Sequence, residues 1–229
     1  VAFVVSVFSH SSRSAILSRT LQSFADVGVP VDHVEVQIDR PKAAHNRRNA
    51  WMALKRSVEV VGRKLPNMSG VLLIEDDVTP SPHLLEWMKY LDLYEERVTT
   101  LYCPIERVYP HRYKSFIKGT SRKDPVPAVV AVSDIRAWWG SQALWIPLPW
   151  ARVFKNDQRM QVFEHGLGPW DHAVRTIMIE HNATMGLVVP NVIQHNGEPN
   201  VVNPTKRTHR SQAYRPDAMP PSVAREVDY

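Results

Sequence analysis

The chain has 229 residues, 44% hydrophobic and 22% charged, which is enough apolar material for a buried core and too balanced a composition for a disordered tail. Its 28 Lys and Arg against 23 Asp and Glu leave a net charge of +5, which favours an anionic partner without naming one. The lone Cys103 excludes an internal disulfide and a cysteine-built zinc site, and no apolar run approaches the roughly 20 residues that cross a bilayer, so the expected setting is cytoplasmic with no membrane partner.

Residues 2–8, Ala-Phe-Val-Val-Ser-Val-Phe, form a nearly continuous β-prone run of the kind a strand covered on both faces shows. A polar loop, Ser9-His10-Ser11-Ser12-Arg13, follows, and Leu17, Leu21 and Phe24 at helical spacing predict a helix over 14–25. Val34, Val36 and Ile38 alternate with polar residues into Asp39, a second strand, before Trp51, Leu54, Val58 and Val61 mark another amphipathic helix. Val71-Leu72-Leu73-Ile74 is a short apolar strand that runs into Glu75-Asp76-Asp77. Ser81-Pro82 then supply an N-cap and a first-turn proline for a helix whose buried stripe is Leu84, Met88 and Leu91.

Past residue 98 the pattern shortens to β-like pieces over 98–103, 128–132 and 142–146, separated by proline-containing loops. Gly168-Pro169-Trp170-Asp171 opens one more helix, with Val174, Ile177 and His181 in phase, and residues 187–193 form a strand broken at Pro190. From Asn196 onward no period is visible, so residues 201–229 are expected to wrap the surface or to order with ligand. The economical architecture is one α/β domain over 1–200, with a parallel, nucleotide-binding half (1–100) and a mixed acceptor half (101–200) built on its edge.

Glu75-Asp76-Asp77 carries the strongest chemical signal, because ligand sites in open α/β sheets lie at the carboxyl ends of strands. Three like charges there are costly unless a cation joins them. A divalent ion held by one or two carboxylates and completed by diphosphate oxygens and water resolves that cost; a solvated acidic turn capping the next helix is the alternative. Asp171 at a helix start can cap that helix or, as a carboxylate within reach of an acceptor hydroxyl, act as its base.

Leu-Leu-Ile-Glu-Asp-Asp-Val resembles the Glu-Asp-Asp variant of the Asp-x-Asp motif of GT-A glycosyltransferases, enzymes that use nucleotide-sugar donors with a divalent metal. Val188-Val189-Pro190-Asn191-Val192-Ile193-Gln194-His195-Asn196-Gly197 is similar to that family's late segment, in which a Pro is followed by Gln-His-x-Gly, and Glu198-Pro199-Asn200 departs from the small hydroxyl residues that relatives often carry there. The resemblance implies a GT-A, Rossmann-like α/β domain with a mixed central sheet flanked by helices. It implies Asp77 and His195 as ligands of Mn²⁺ or Mg²⁺, Glu75 and Asp76 toward the donor ribose and the metal's water shell, and Asp171 as the catalytic base of an inverting enzyme. The donor, a UDP-sugar, would be held by Phe8, Ser9, His10, Arg13 and Asp39, with Arg48 and Asn49 bracing the base or diphosphate. Trp139, Gly140 and Trp170 would border the sugar, although Trp138 and Trp139 serve equally well as core.

A sugar nucleotidyltransferase would need a glycine-rich phosphate loop, which Ser9 to Arg13 lacks, and a metal-dependent nuclease would need a Lys close after the acidic triplet. A non-catalytic module would bind donor with Mn²⁺ yet never release nucleoside diphosphate. Charge placement bears on the acceptor: windows 40–64, 105–123 and 204–217 hold 18 of the 28 basic residues. In the last two, Tyr109, His111, Tyr113, Phe116, His209 and Tyr214 are interleaved with Arg and Lys, as on a nucleic-acid surface or in a solvated loop pair. The preferred acceptor is a 5-hydroxymethyl base in DNA, as in virus-type DNA modification, which would place the protein in the host cytoplasm; a glycan or protein hydroxyl is the alternative.

Overall fold

A computed structural model describes residues 2–39, 46–61, 63, 65, 67–94, 96–102, 127–132, 135, 142–161, 170–196, 214–222 and 226–228, with the backbone alone at 39, 46–49, 60–61, 94, 161 and 226–228. The expected opening strand is β1 (Ala2–His10), followed by a 3-10 turn (Ser11–Arg13), α1 (Ser14–Asp26), β2 (Val34–Asp39) and α2 (Asn46–Arg56), which continues as a π-helical turn over Ser57–Val61. Then come β3 (Met68–Glu75), the short β4 (Val78–Pro80) and α3 (Leu84–Tyr94). Ser81 starts α3 as the sequence suggests: its hydroxyl accepts from His83 N at 3.1 Å.

β1 pairs in parallel with β2 on one side and β3 on the other, so the first three strands form a parallel half-sheet in the order β2-β1-β3. Alternate residues of β1 feed two different cores. Val4 and Phe8 pack with Ala50, Leu54, Trp170 and Ile177 on one face, while Phe3, Val5 and Val7 pack with Leu17, Phe24, Trp87 and Leu91 on the other. Cover on both sides is why the strand reads as an unbroken apolar run rather than an alternating one.

The second half adds β5 (Thr99–Thr100), β6 (Ala128–Val132), β7 (Ala143–Pro147), α4 (Leu148–Asn156), α5 (Gln158–Gln161), α6 (Trp170–Glu180), β8 (Met185–Val189), β9 (Ile193–His195) and β10 (Glu226–Asp228). The sheet runs β10-β6-β8-β5-β7-β3-β1-β2 among the described residues, and β7 is antiparallel to both β3 and β5, so the sheet is mixed, with α2, α4 and α6 on one face and α1 and α3 on the other. The α/β layering and mixed central sheet are those expected.

Two segments differ from their sequence patterns. Of the piece expected over 98–103, Cys103 lies outside the described residues and the rest forms a strand at Thr99–Thr100; Leu101 N still bonds Ala143 O at 3.0 Å, but its carbonyl accepts from Val192 N and Ile193 N at 3.2 and 3.3 Å. The strand expected over 187–193 becomes two: Pro190 has no N–H to give the ladder, and the chain leaves the large sheet there to pair β9 with β4 in a separate ribbon. In the tail, Arg215 N bonds Asn191 O at 3.2 Å, Ser81 Oγ donates to Pro216 O at 2.6 Å and Trp87 Nε1 to Ala218 O at 2.9 Å. This stretch therefore wraps the ribbon and α3. No described helix is long and apolar enough to cross a membrane.

Candidate metal and donor site

β2, β1 and β3 end side by side, with His10 in register with Asp39 and Phe8 with Glu75. Beyond β3 the chain turns at once into β4, so Asp76 and Asp77 lie in a tight turn held from two sides. Thr20 Oγ1 lies within hydrogen-bond reach of the Asp76 carbonyl at 2.6 Å and the Val78 carbonyl at 3.2 Å, and Asn196 N donates to the Asp77 carbonyl at 2.7 Å. Thr20 was not among the residues the sequence marked out. Its signal is a hydroxyl in phase with Leu17 and Phe24 on the buried face of α1.

The three carboxylates occupy different environments. Arg13 forks onto Asp76, Nη2 to Oδ1 at 2.9 Å and Nε to Oδ2 at 3.0 Å, while the same Nη2 lies 3.0 Å from Asp77 Oδ2. Ser9 Oγ also donates to Asp76 Oδ2. Asp76 is thereby engaged by protein groups. Asp77 is buried too, and the one group beside its Oδ1 is the His195 ring, Nε2 standing 3.0 Å away as an ion-pair partner. His195 arrives there because the ribbon pairs Val78 with His195, and its ring lies against Tyr102, centroids 5.8 Å apart. Glu75, Asp77 and His195 each offer one ligand atom, all within 4.8 Å of one another, the one such group among the described residues.

Burial dominates the electrostatics. Although a little of Glu75 remains accessible, its carboxyl lies deep, and desolvation first, then the Asp77 charge, push it up to about 7, with His195 pulling the other way. Burial also raises the Asp76 carboxyl from its ordinary value, against Ser9 and Arg13. For Asp77 burial acts upward, but His195 and Arg13 outweigh it and hold the carboxyl low. For His195 burial acts downward, and Asp77 and Glu75 outweigh it, so the imidazole is raised. Three carboxylates with one guanidinium leave two negative charges, which a divalent cation beside a neutral imidazole balances. The donor set, two carboxylates and an imidazole with their ligand atoms close together, fits a divalent cation.

α6 begins at Trp170, which is fully buried and set edge-on to Phe8 at 5.8 Å. Phe8 is the register partner of Glu75, so the start of this helix stands at the same end of the sheet as the cluster. Asp171, also buried, accepts from His172 N through Oδ1 at 3.0 Å, the local contact of a helix-start acid. His10 Nδ1 accepts from Ser12 N at 3.2 Å and fixes the turn that leads to Arg13.

The structure therefore brings together Phe8, Ser9, Arg13, Glu75, Asp76, Asp77 and His195, whereas Trp170, expected to border the sugar, is fully buried in the core against Phe8 and has Asp171 as its chain neighbour. Glu75, expected at the donor, stands with Asp77 and His195. Asp39 closes β2 and Arg48 and Asn49 lie in the first turn of α2, but their side chains are outside the described residues, as are Trp139, Gly140 and the window 105–123 altogether.

No family model matches the chain, and no curated protein matches it. Among solved structures it is similar to a glycosyltransferase involved in the glycosylation of the major capsid of PBCV-1, with a TM-score of 0.31 and 11% identity over 66% of this chain. The match spans 65% of that glycosyltransferase.

Proposed function

We propose that the chain is a metal-dependent, inverting glycosyltransferase that moves a sugar from a nucleoside-diphosphate sugar, in this reading a UDP-sugar, to an acceptor hydroxyl. The observation that carries the reading is the Glu75, Asp77 and His195 cluster at the carboxyl end of β3, with the start of α6 at the same end of the sheet. A divalent cation held there supplies the positive charge that stabilises a departing nucleoside diphosphate.

The chain's own groups do the rest. Arg13 occupies Asp76 and pins Asp77 through Oδ2, while Asp77 Oδ1 lies against His195. Phe8, Ser9, His10 and Asp39, at the ends of β1 and β2, border the donor nucleoside in this reading, with Arg48 and Asn49 from the first turn of α2. Asp171 takes the proton from the acceptor hydroxyl as its oxygen attacks the anomeric carbon from the side opposite the diphosphate, which inverts that carbon. Trp170, immobilised against Phe8, fixes where the Asp171 backbone stands.

The acceptor we propose is a 5-hydroxymethyl base in DNA, from the aromatic-laced basic windows 105–123 and 204–217, and such a base would have to be flipped toward Asp171. The test is incubation with a panel of nucleotide sugars and Mn²⁺, scoring nucleoside diphosphate release with and without hydroxymethylated DNA. Release that rises with the DNA and falls with added salt supports the acceptor; transfer to a glycan or protein hydroxyl unaffected by competing DNA removes it. Asp171→Asn should lower turnover by roughly 10²–10⁴-fold without changing Mn²⁺ affinity, and undiminished turnover would show that another group is the base.

A further inference from the structure

Several buried polar atoms among the described residues lack a hydrogen-bond partner, and three of them lie at this end of the sheet. Asp77 Oδ1 and His195 Nδ1 are two of them, and Gln142 Oε1 is a third, on a residue to which the reading above gives no role. β3 and β7 are paired antiparallel up to Ile74 opposite Ala143, and Glu75 N donates to Gln142 O at 3.1 Å, which carries the ladder one pair further. Gln142 is therefore directly across from Glu75, on the same face of the sheet, with Cβ atoms about 4.5–5.5 Å apart as cross-strand neighbours are. Leu144 and Ile146, which share that face of β7, pack in the core that contains Phe8 and Trp170.

An amide oxygen shut away from water and given no donor, on the cross-strand neighbour of a carboxylate, is unfavourable without compensation. The same corner contains the three cation-seeking groups, and oxygen donors are what Mg²⁺ and Mn²⁺ add to a carboxylate and imidazole set.

We infer that Gln142 is a fourth protein ligand of the divalent cation, binding through Oε1 beside Glu75. The inference rests on the cation reading of the Glu75, Asp77 and His195 cluster and extends its ligand set to β7. Gln142 then links the cation to the strand that leaves the segment containing Trp139 and Gly140, so the ion is gripped by β3, the ribbon and β7 together.

The test is calorimetric titration of Mn²⁺ alone into the unsubstituted chain, Gln142→Met and Gln142→Glu, with denaturant unfolding of each in the absence of metal. Gln142→Met removes the oxygen at nearly constant volume. It should weaken Mn²⁺ binding about tenfold or more while metal-free stability holds or rises, since an unmet acceptor is gone. Gln142→Glu keeps an oxygen donor and should bind Mn²⁺ at least as tightly as the unsubstituted chain. Unchanged affinity in Gln142→Met overturns the inference and leaves the cation reading standing. Loss in Gln142→Glu as deep as in Gln142→Met also overturns it, because the amide would then be serving Glu75 as a donor. Affinity that falls only in step with metal-free stability marks a structural residue and has the same effect. A folded, unsubstituted chain that binds no Mn²⁺ removes the cation reading and the inference with it.

Discussion

Asp76 and Asp77 are adjacent, yet Arg13 and Ser9 engage both oxygens of the first and leave Asp77 Oδ1 facing only the His195 ring. Their substitutions should therefore separate. Asp77→Ala should abolish Mn²⁺ binding in a titration to millimolar metal. Asp76→Asn should keep it within about tenfold but cost about 2–4 kcal/mol in denaturant unfolding, because the largely buried Arg13 loses its two-pronged partner. The same residues set a pH dependence for the metal-free chain. Glu75 is raised from 4.5 to about 7, so its contribution is fully present below pH 4.5 and is lost as pH climbs toward 7; His195, also raised, contributes below 6.5 and loses that as pH passes its folded value. Both act in one direction, and metal-free unfolding followed between pH 5 and 8 should show stability falling as pH rises. A flat or rising profile would mean that the cluster is not buried as described. The sequence makes the acidic triplet legible, since three acids after an apolar strand are conspicuous, but not its division of labour. That division depends on which carboxylate Arg13 reaches and on a ribbon pairing that brings in His195 from far along the chain.

Elements were legible in proportion to their length and cover. β1, α1 and α2 announce themselves by runs and stripes, whereas β4, β5 and β9 have two or three residues each, too few for any period to show. β4 and β9 are nonetheless the elements that assemble the site, with the break at Pro190 redirecting the chain into the ribbon. The approach of β7 to β3 is equally hidden in sequence, and Gly70 is what permits it: a Cβ there would stand 2.4 Å from the Trp145 ring and 2.7 Å from the Ile146 carbonyl. Neither neighbour can yield easily, since Trp145 is fully buried and the carbonyl belongs to the ladder. Gly70→Ala should accordingly destabilise the fold by about 1–3 kcal/mol in denaturant unfolding. Because Glu75 and Gln142 are the outer pair of the same two strands, it should also loosen Mn²⁺ binding. A variant as stable as the unsubstituted chain would show that β3 and β7 do not pack at this distance.

At the scale of the whole molecule, the proposed cation would join parts that are far apart along the chain. Asp77 sits at the end of the parallel half, His195 in a three-residue strand that follows the sheet's β8, and the stretch around Tyr214 to Ala218 is tied back onto the same ribbon and α3. In the unfolded chain these groups are far apart, so metal affinity belongs to the folded state and must appear as stability. With free metal at about 100 times Kd the gain is about 2.7 kcal/mol, which for a chain of this length is a rise of roughly 5–11 °C in Tm. Mn²⁺ should produce that rise in thermal unfolding of the unsubstituted chain. Asp77→Ala should show none at the same metal concentration, and Asp171→Asn should show all of it, because the proposed base lies outside the ligand set. A rise that survives in Asp77→Ala would place the ion elsewhere on the molecule, and a rise lost in Asp171→Asn would draw the start of α6 into the cation's shell. The comparison of the two variants thus separates the cation's grip on the fold from the proton transfer proposed beside it.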